Sequence, residues 1–246
     1  MDNKKIISSF KTKNKLNSKV WEKEGDSYTM KPDIRESLLK IVQDYLDFID
    51  VDLDIDDVTL TGSLSNFNWS DFSDVDLHIL VDFGTDKSPL LKKYLDSRRI
   101  IWNSLRDITI KDFDVEIYVQ GIHEPHFASG IYSVLFNEWI NNPTQEDVLI
   151  DSAKILEKSK QWMNMIDSIE DDKNRKEPEE LLNRIDKLKK KLKKYRSCGL
   201  QGDGEYSYEN LTFKFLRRNN YLGKLNDIKN ELIDQTLTVE GKVSTI

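Results

Sequence analysis

The sequence predicts an α+β fold: a small mixed β-sheet with helices, followed by an α-helical second half. Three patterns carry that expectation. Val58 and Leu60 alternate with Thr59 and Thr61, and Val75, Leu77 and Ile79 alternate with Asp74, Asp76 and His78, which is the two-residue period of half-buried strands. Ile34, Leu38, Ile41, Val42 and Tyr45 recur at helical spacing just ahead of them. From about residue 145 onward the apolar residues keep to intervals of three and four, the stripe of packed helices.

Taken in order, residues 1–30 are polar and lysine-rich and predict a loosely docked arm. Lys31-Pro32-Asp33 opens a helix to about Phe48, because proline at the first helical turn lacks only an N–H that has no intrahelical partner there. Strands follow at about 57–61 and 75–82, separated by a Gly-Ser turn and the loop NFNWSDFS. Residues 86–106 read as a helix begun by Ser88-Pro89, with Leu90, Leu91, Leu95, Ile101, Trp102 and Leu105 as its apolar positions. Short strands near 107–110 and 113–120 complete the sheet. After the loop GIHEPHFASG, residues 131–139 and 145–169 read as helices, the second with Val148, Leu149, Ala153, Leu156, Trp162, Met163 and Ile166 at core spacing. Glu177-Pro178-Glu179 opens a basic helix whose apolar positions are Leu181, Leu182, Ile185, Leu188 and Leu192. The glycine-punctuated segment CGLQGDGEYSYENL predicts a loop, with helices after it at about 208–218 and 221–235. The expected organisation is a polar arm over 1–30, an α/β domain over 31–125 and a helical domain over 126–246.

At 246 residues, with 38% hydrophobic and 10% aromatic residues, the chain can bury a substantial core, while 33% charged residues imply a well-solvated surface. It has no apolar run of about eighteen residues, and its start, MDNKKIISSFKTKNK, lacks a secretory apolar segment, so a soluble cytoplasmic protein without a membrane partner is expected. Cys198 is the single cysteine, which excludes an internal disulfide and a thiolate zinc cluster. The net charge of −7 conceals segregation: eleven basic and four acidic residues lie between 173 and 196, whereas residues 44–57 are strongly acidic. That asymmetry leaves a basic face for phosphates on an acidic protein.

Most of the chemistry concentrates in residues 62–78, GSLSNFNWSDFSDVDLH. On a strand Asp74 and Asp76 point to one face, and two carboxylates there repel unless a cation lies between them. Gly62 lets the backbone approach a ligand closely, and the amides of Gly62, Ser63 and Leu64 suit an anion. Ten residues separate Ser63 from Asp74, and KDFDVEIYVQ at 111–120 supplies further acidic residues on a later strand.

This layout resembles the signature of the DNA polymerase β-like nucleotidyltransferase superfamily: a hydrophobic residue, Gly-Ser, about ten residues, then Asp-hydrophobic-Asp, with a third carboxylate on a neighbouring strand. The resemblance covers roughly residues 55–120. The segments GLQGDGEYSYENLTFKFLRRNNYL and DVEIYVQ are also similar to predicted nucleotidyltransferases of large tailed bacteriophages, which implies expression in a bacterial cytoplasm. The resemblance implies transfer of NMP from a nucleoside triphosphate to an acceptor hydroxyl, with two Mg²⁺ ions, or Mn²⁺, clamping the attacking and leaving oxygens. It places the metal ions on Asp74 and Asp76, with Glu116 or Asp114 as the third carboxylate, and Glu116 is preferred because Val115-Glu116-Ile117 lies deepest in its strand. It assigns triphosphate binding to Gly62 and Ser63. The acceptor stays open among RNA, a nucleotide, a protein and a small molecule.

Several neighbours carry two readings. Ser73 is a nucleotide-binding candidate and also a cap for the turn before Asp74. His78 is a substrate contact or a satisfied strand-edge histidine. Trp69, in a loop with Asn66, Asn68 and Ser70, stacks on a ligand or anchors the loop. His123 and His126 have metal-like spacing but no third ligand, which favours ordinary surface. The basic helix around DKLKKKLKKYR is a solvated face or a contact for phosphate or RNA, with Lys214, Arg217 and Arg218 as added cations and Tyr206 and Tyr208 as stacking partners. Two other functions compete: a noncatalytic nucleotide- or RNA-binding module on the same fold, and a glycosyltransferase using Asp-Val-Asp as its metal motif. The intact aspartates and turn weigh against the first, and the short segment ahead of the motif against the second.

Overall fold

The computed structural model describes residues 2–83, 89–124, 128–146 and 148–239. In chain order the elements are α1 (Asn3–Ser8), β1 (Trp21–Glu24), β2 (Ser27–Met30), α2 (Pro32–Ile49), β3 (Ile55–Thr61), β4 (Val75–Val81), α3 (Pro89–Leu105), β5 (Thr109–Ile110), β6 (Phe113–Gly121), β7 (Ile131–Ser133), β8 (Glu138–Asn141), α4 (Ser152–Asp172), α5 (Pro178–Gln201), α6 (Tyr208–Arg218) and α7 (Tyr221–Leu237). The protein is mixed α+β. It divides into two compact units, Lys11–Asp147 and a helical unit made of Met1–Phe10 with Val148–Ile246. Among the described residues, no helix is long and apolar enough to cross a membrane.

In the first unit a six-stranded sheet runs in the order β5-β6-β4-β3-β7-β8. β4 and β6 are parallel and α3 connects them, while every other neighbouring pair is antiparallel. The central strands bury Val58, Leu60, Val75, Leu77, Ile79 and Ile117. α2 turns Ile34, Leu38, Ile41, Val42, Tyr45 and Ile49 inward at the spacing its sequence dictates, and it ends at Asp50 in the left-handed region (φ 53°). Tyr45 meets Trp102 of α3 edge-on at 5.5 Å. Burial of each large apolar side chain of this kind contributes roughly 1.5–3 kcal/mol.

Several expectations change. Residues 11–30 are no loose arm: Leu16, Val20, Trp21 and Met30 join the core of the sheet unit. Trp21 stacks on Trp139 at 4.7 Å, and the indole of Trp139 donates to the Tyr28 carbonyl at 2.6 Å. Four apolar anchors among many polar residues outweigh the average polarity of the segment. Residues 131–139, expected as a helix, form the hairpin β7–β8, with Tyr132 opposite Trp139 and Asn137 taking φ 62° in its turn. Their β-branched and aromatic side chains complete a sheet edge that β3 offers. The boundary between units accordingly falls after residue 147 rather than near 125.

The expected helix over 145–169 starts only at Ser152, where the Asp151 carboxylate accepts the Lys154 amide at 3.0 Å as an N-cap, and Leu149 lies exposed outside it. On α3 the core side chains are Leu95 and Trp102, while Leu90, Ile101 and Leu105 are exposed. Residues 86–88 lie outside the described residues.

The helical unit packs α4, α5, α6 and α7 around Trp162, Ile166, Leu181, Ile185, Leu192, Leu216, Leu225, Ile228 and Leu232. α5 continues into the first residues of the expected loop, as far as Gln201. Gly199 permits this: a Cβ there would lie 2.6 Å from Glu209 Cβ and 2.6 Å from Ser207 Oγ, so only glycine lets α5 approach the start of α6 so closely.

Candidate metal centre

Three carboxylates converge at one edge of the sheet. Asp74 immediately precedes β4, Asp76 lies within it, and the parallel register sets Asp76 directly beside Glu116 of β6. Asp74, Asp76 and Glu116 each offer an oxygen, and these oxygens lie within 4.8 Å of one another, all three residues being partly buried. At that spacing two ionised carboxylates repel by roughly 3–4 kcal/mol in an effective dielectric near 20. A group of this kind could hold a metal ion, and a donor set made only of carboxylate oxygens suits a hard divalent cation.

Asp114 and Glu116 share a strand face, but Asp114 is exposed, sits opposite Thr109 of β5, and lies outside the group of three. The β4–β6 register pairs Glu116 with Asp76, whereas Asp114 lies one residue before the first paired position, Val115 opposite Val75.

The Gly-Ser turn stands directly over Asp76. Gly62 has φ 74°, a left-handed conformation that glycine adopts without penalty. A Cβ on it would fall 1.9 Å from Asp76 Oδ2, so a residue with a side chain fits there only if the carboxylate moves. Ser63, Leu64 and Ser65 then make one 3-10 turn. The Ser63 hydroxyl donates to Ser73 Oγ at 2.7 Å, and the Ser70 amide donates to the same oxygen at 2.9 Å. Ser73 is thus a buried cap that ties the turn to the residue before Asp74. The Asn66 amide group donates to the Gly62 carbonyl at 2.7 Å, and the Ser65 hydroxyl bridges the Gly62 and Gly130 carbonyls at 3.0 and 2.9 Å.

The N-terminal segment braces this turn. The Trp21 indole donates to the Leu64 carbonyl at 2.7 Å, the Lys13 amide to the Phe67 carbonyl at 2.7 Å, and the Trp69 indole to the Lys15 carbonyl at 2.8 Å. Trp69 therefore anchors the loop.

Tyr118, two residues along β6 from Glu116 and on the same face, is a site residue that the sequence reading passed over. Its hydroxyl donates to Glu116 Oε2. Burial first, and then the Glu116 carboxylate, push the phenol well above its ordinary pKa, so it stays a donor. Its ring stacks on His78 at 4.9 Å, with the Arg99 guanidinium 5.0 Å from its centroid. His78 Nδ1 lies 2.7 Å from Gln120 Oε1, which accounts for it as a satisfied strand histidine. The signal for Tyr118 was strand alternation itself, which puts residue 118 on the face of residue 116.

Lys214 and Arg217 lie on α6 in the helical unit, away in sequence from the acidic group. Lys214 keeps part of its surface accessible, yet burial lowers its amine pKa, and Arg218, Arg217 and Arg196 act in the same direction against Glu205. Arg217 is exposed. His126 lies outside the described residues. The chain matches no protein-family model, and a search of curated proteins finds no match.

Proposed function

We propose that Asp74, Asp76 and Glu116 form the divalent-cation site of a nucleotidyltransferase of the DNA polymerase β-like class, one that transfers NMP from an NTP to an acceptor hydroxyl and releases pyrophosphate. One observation carries this reading. The left-handed Gly62 packs its backbone against Asp76 where the parallel β4–β6 register gathers the third carboxylate, so a turn whose amides suit an anion adjoins a group that could hold a cation. A lone acidic cluster needs no such turn.

In this reading Asp74 and Asp76 would hold Mg²⁺ ions, for which their hard oxygen donors are suited. Ions held there would supply neutralisation of the charge that develops on a triphosphate. Gly62 and Ser63 hold the terminal phosphates through backbone amides. Glu116, which accepts the Tyr118 hydroxyl, would complete the cation site on the acceptor side and help the acceptor hydroxyl shed its proton. The acceptor is RNA, a nucleotide, a protein side chain or a small molecule.

The test is incubation of the whole chain with each labelled NTP and Mg²⁺, in parallel with UDP-sugars and Mn²⁺. Pyrophosphate release that disappears in Asp74→Asn and Asp76→Asn supports the proposal. NTP binding without pyrophosphate release would identify a binding module instead, and sugar release a glycosyltransferase.

A further inference from the structure

A groove of about 350 Å³ opens in the helical unit among α5, α6 and α7. Its floor is apolar, formed by Leu192, Leu222 and Leu225, and Phe213 lines it as well. Along one wall run Lys189, Lys193 and Arg196, and none of the described lining residues is acidic. The spacing of four and then three residues puts these three cations in one stripe on the face of α5. The Arg196 guanidinium lies 4.7 Å from the Phe213 centroid, so a planar cation and an aromatic ring form a platform at the groove. Lys189 is partly buried, and burial followed by Lys229 lowers its pKa, so an anion entering the groove relieves an existing cost.

A solvated basic face does not require these features. Lys187, Lys190 and Lys194 on the same helix are exposed and line no part of the groove, whereas the partly buried Lys189 and Arg196 and the exposed Lys193 do line it. Here the cations border a concave apolar floor, which calls for a ligand that is anionic on one side and flat and apolar on the other. A nucleotide has that construction, and Lys189 and Lys193, one helical turn apart along the groove, offer places for the phosphates on either side of it in a strand.

We propose that this groove binds one nucleotide unit of a single-stranded nucleic acid, with its base on Phe213 and Arg196 and its phosphates on Lys189 and Lys193. The inference stands apart from the nucleotidyl-transfer proposal, since it concerns binding alone.

The test uses the full chain in EDTA without NTP, titrated against fluorescein-labelled dodecamers of rU and dT by fluorescence anisotropy. Binding of either oligonucleotide is expected, and a preference between them separates RNA from DNA. In the K189E/K193E double variant the slope of log K against log salt should fall by about 1.4, as for two lost phosphate contacts on a single strand. F213L, which keeps an apolar side chain and removes the ring, should weaken binding about fivefold or more. The control K187E/K190E makes the same charge change on exposed residues of α5, and circular dichroism checks helicity in every variant. Absence of binding, equal losses in the two double variants, or competition by polyglutamate equal to that by unlabelled oligonucleotide would each overturn the proposal, the last in favour of an acidic protein partner.

Discussion

A methyl group on Gly62 would land 1.9 Å from Asp76 Oδ2 and would sit on a backbone with φ 74°, so the two residues define one steric unit. On the proposed reading millimolar Mg²⁺ should raise the Tm of the native chain, and Gly62→Ala should displace the carboxylate and abolish that rise, as measured by differential scanning fluorimetry. The group of three divides Glu116 from Asp114 in the same way. Glu116→Gln should lower pyrophosphate release by at least about a hundredfold, whereas Asp114→Asn should retain it within about threefold. Equal losses would mean that β6 presents both carboxylates to the reaction. Asp76→Asn removes one of three mutually repelling charges, so without cations its Tm should exceed that of the native chain by about 2–4 °C per kcal/mol of repulsion relieved. The paired aspartates and the glycine were legible in the sequence because strand alternation and turn chemistry are local. The choice of Glu116 was only favoured there, since alternation puts Asp114 and Glu116 on the same face.

Among the elements, β3 carries a second buried carboxylate with a different purpose. Asp57 accepts the Ser133 hydroxyl of β7 at 2.8 Å and the Val58 amide at 2.6 Å, which pins the short strand β7 beside β3. Burial, the largest influence, raises its pKa above the ordinary 3.8 despite those hydrogen bonds. The folded chain therefore holds this proton more tightly than the unfolded chain does. The stabilising contribution is complete below the ordinary value and is lost as pH rises through the raised folded value. Asp57→Asn keeps an acceptor and removes the charge, so its Tm should exceed the native value by about 2–4 °C at pH 7.5, and the difference should close below about pH 4. Thermal melts across that range decide it, and a gap that widened toward acid pH would refute the sign. The hairpin that Asp57 helps hold was misread as a helix because Ile131, Tyr132, Val134 and Trp139 also satisfy a spacing of three to five residues. A run this short cannot separate the two periods, and pairing with β3 settles it.

At the scale of the whole molecule, each of the two compact units has an apolar core of its own, one centred on the sheet with Leu38, Leu77 and Ile117, the other on Ile166, Ile185 and Leu232. A fragment spanning 11–147 should therefore unfold cooperatively by itself, whereas a fragment spanning 31–125 should not. The shorter piece lacks Trp21 and the hairpin β7–β8, and with them the hydrogen bond to Leu64 and the stack with Trp139. Urea titrations followed by far-UV circular dichroism distinguish the two, and a sharp transition in 31–125 would show these additions to be dispensable. The sequence by itself determined the α+β class, the helices with strong periodicity, the Gly-Ser turn and the paired aspartates, because each depends on residues within one or two turns of each other. Tertiary structure alone decided that residues 11–30 brace the turn, that 131–141 close the sheet, and that Glu116 rather than Asp114 meets Asp76. Those outcomes depend on which strands lie side by side and in what register, and no local period records the contacts between segments forty to a hundred residues apart.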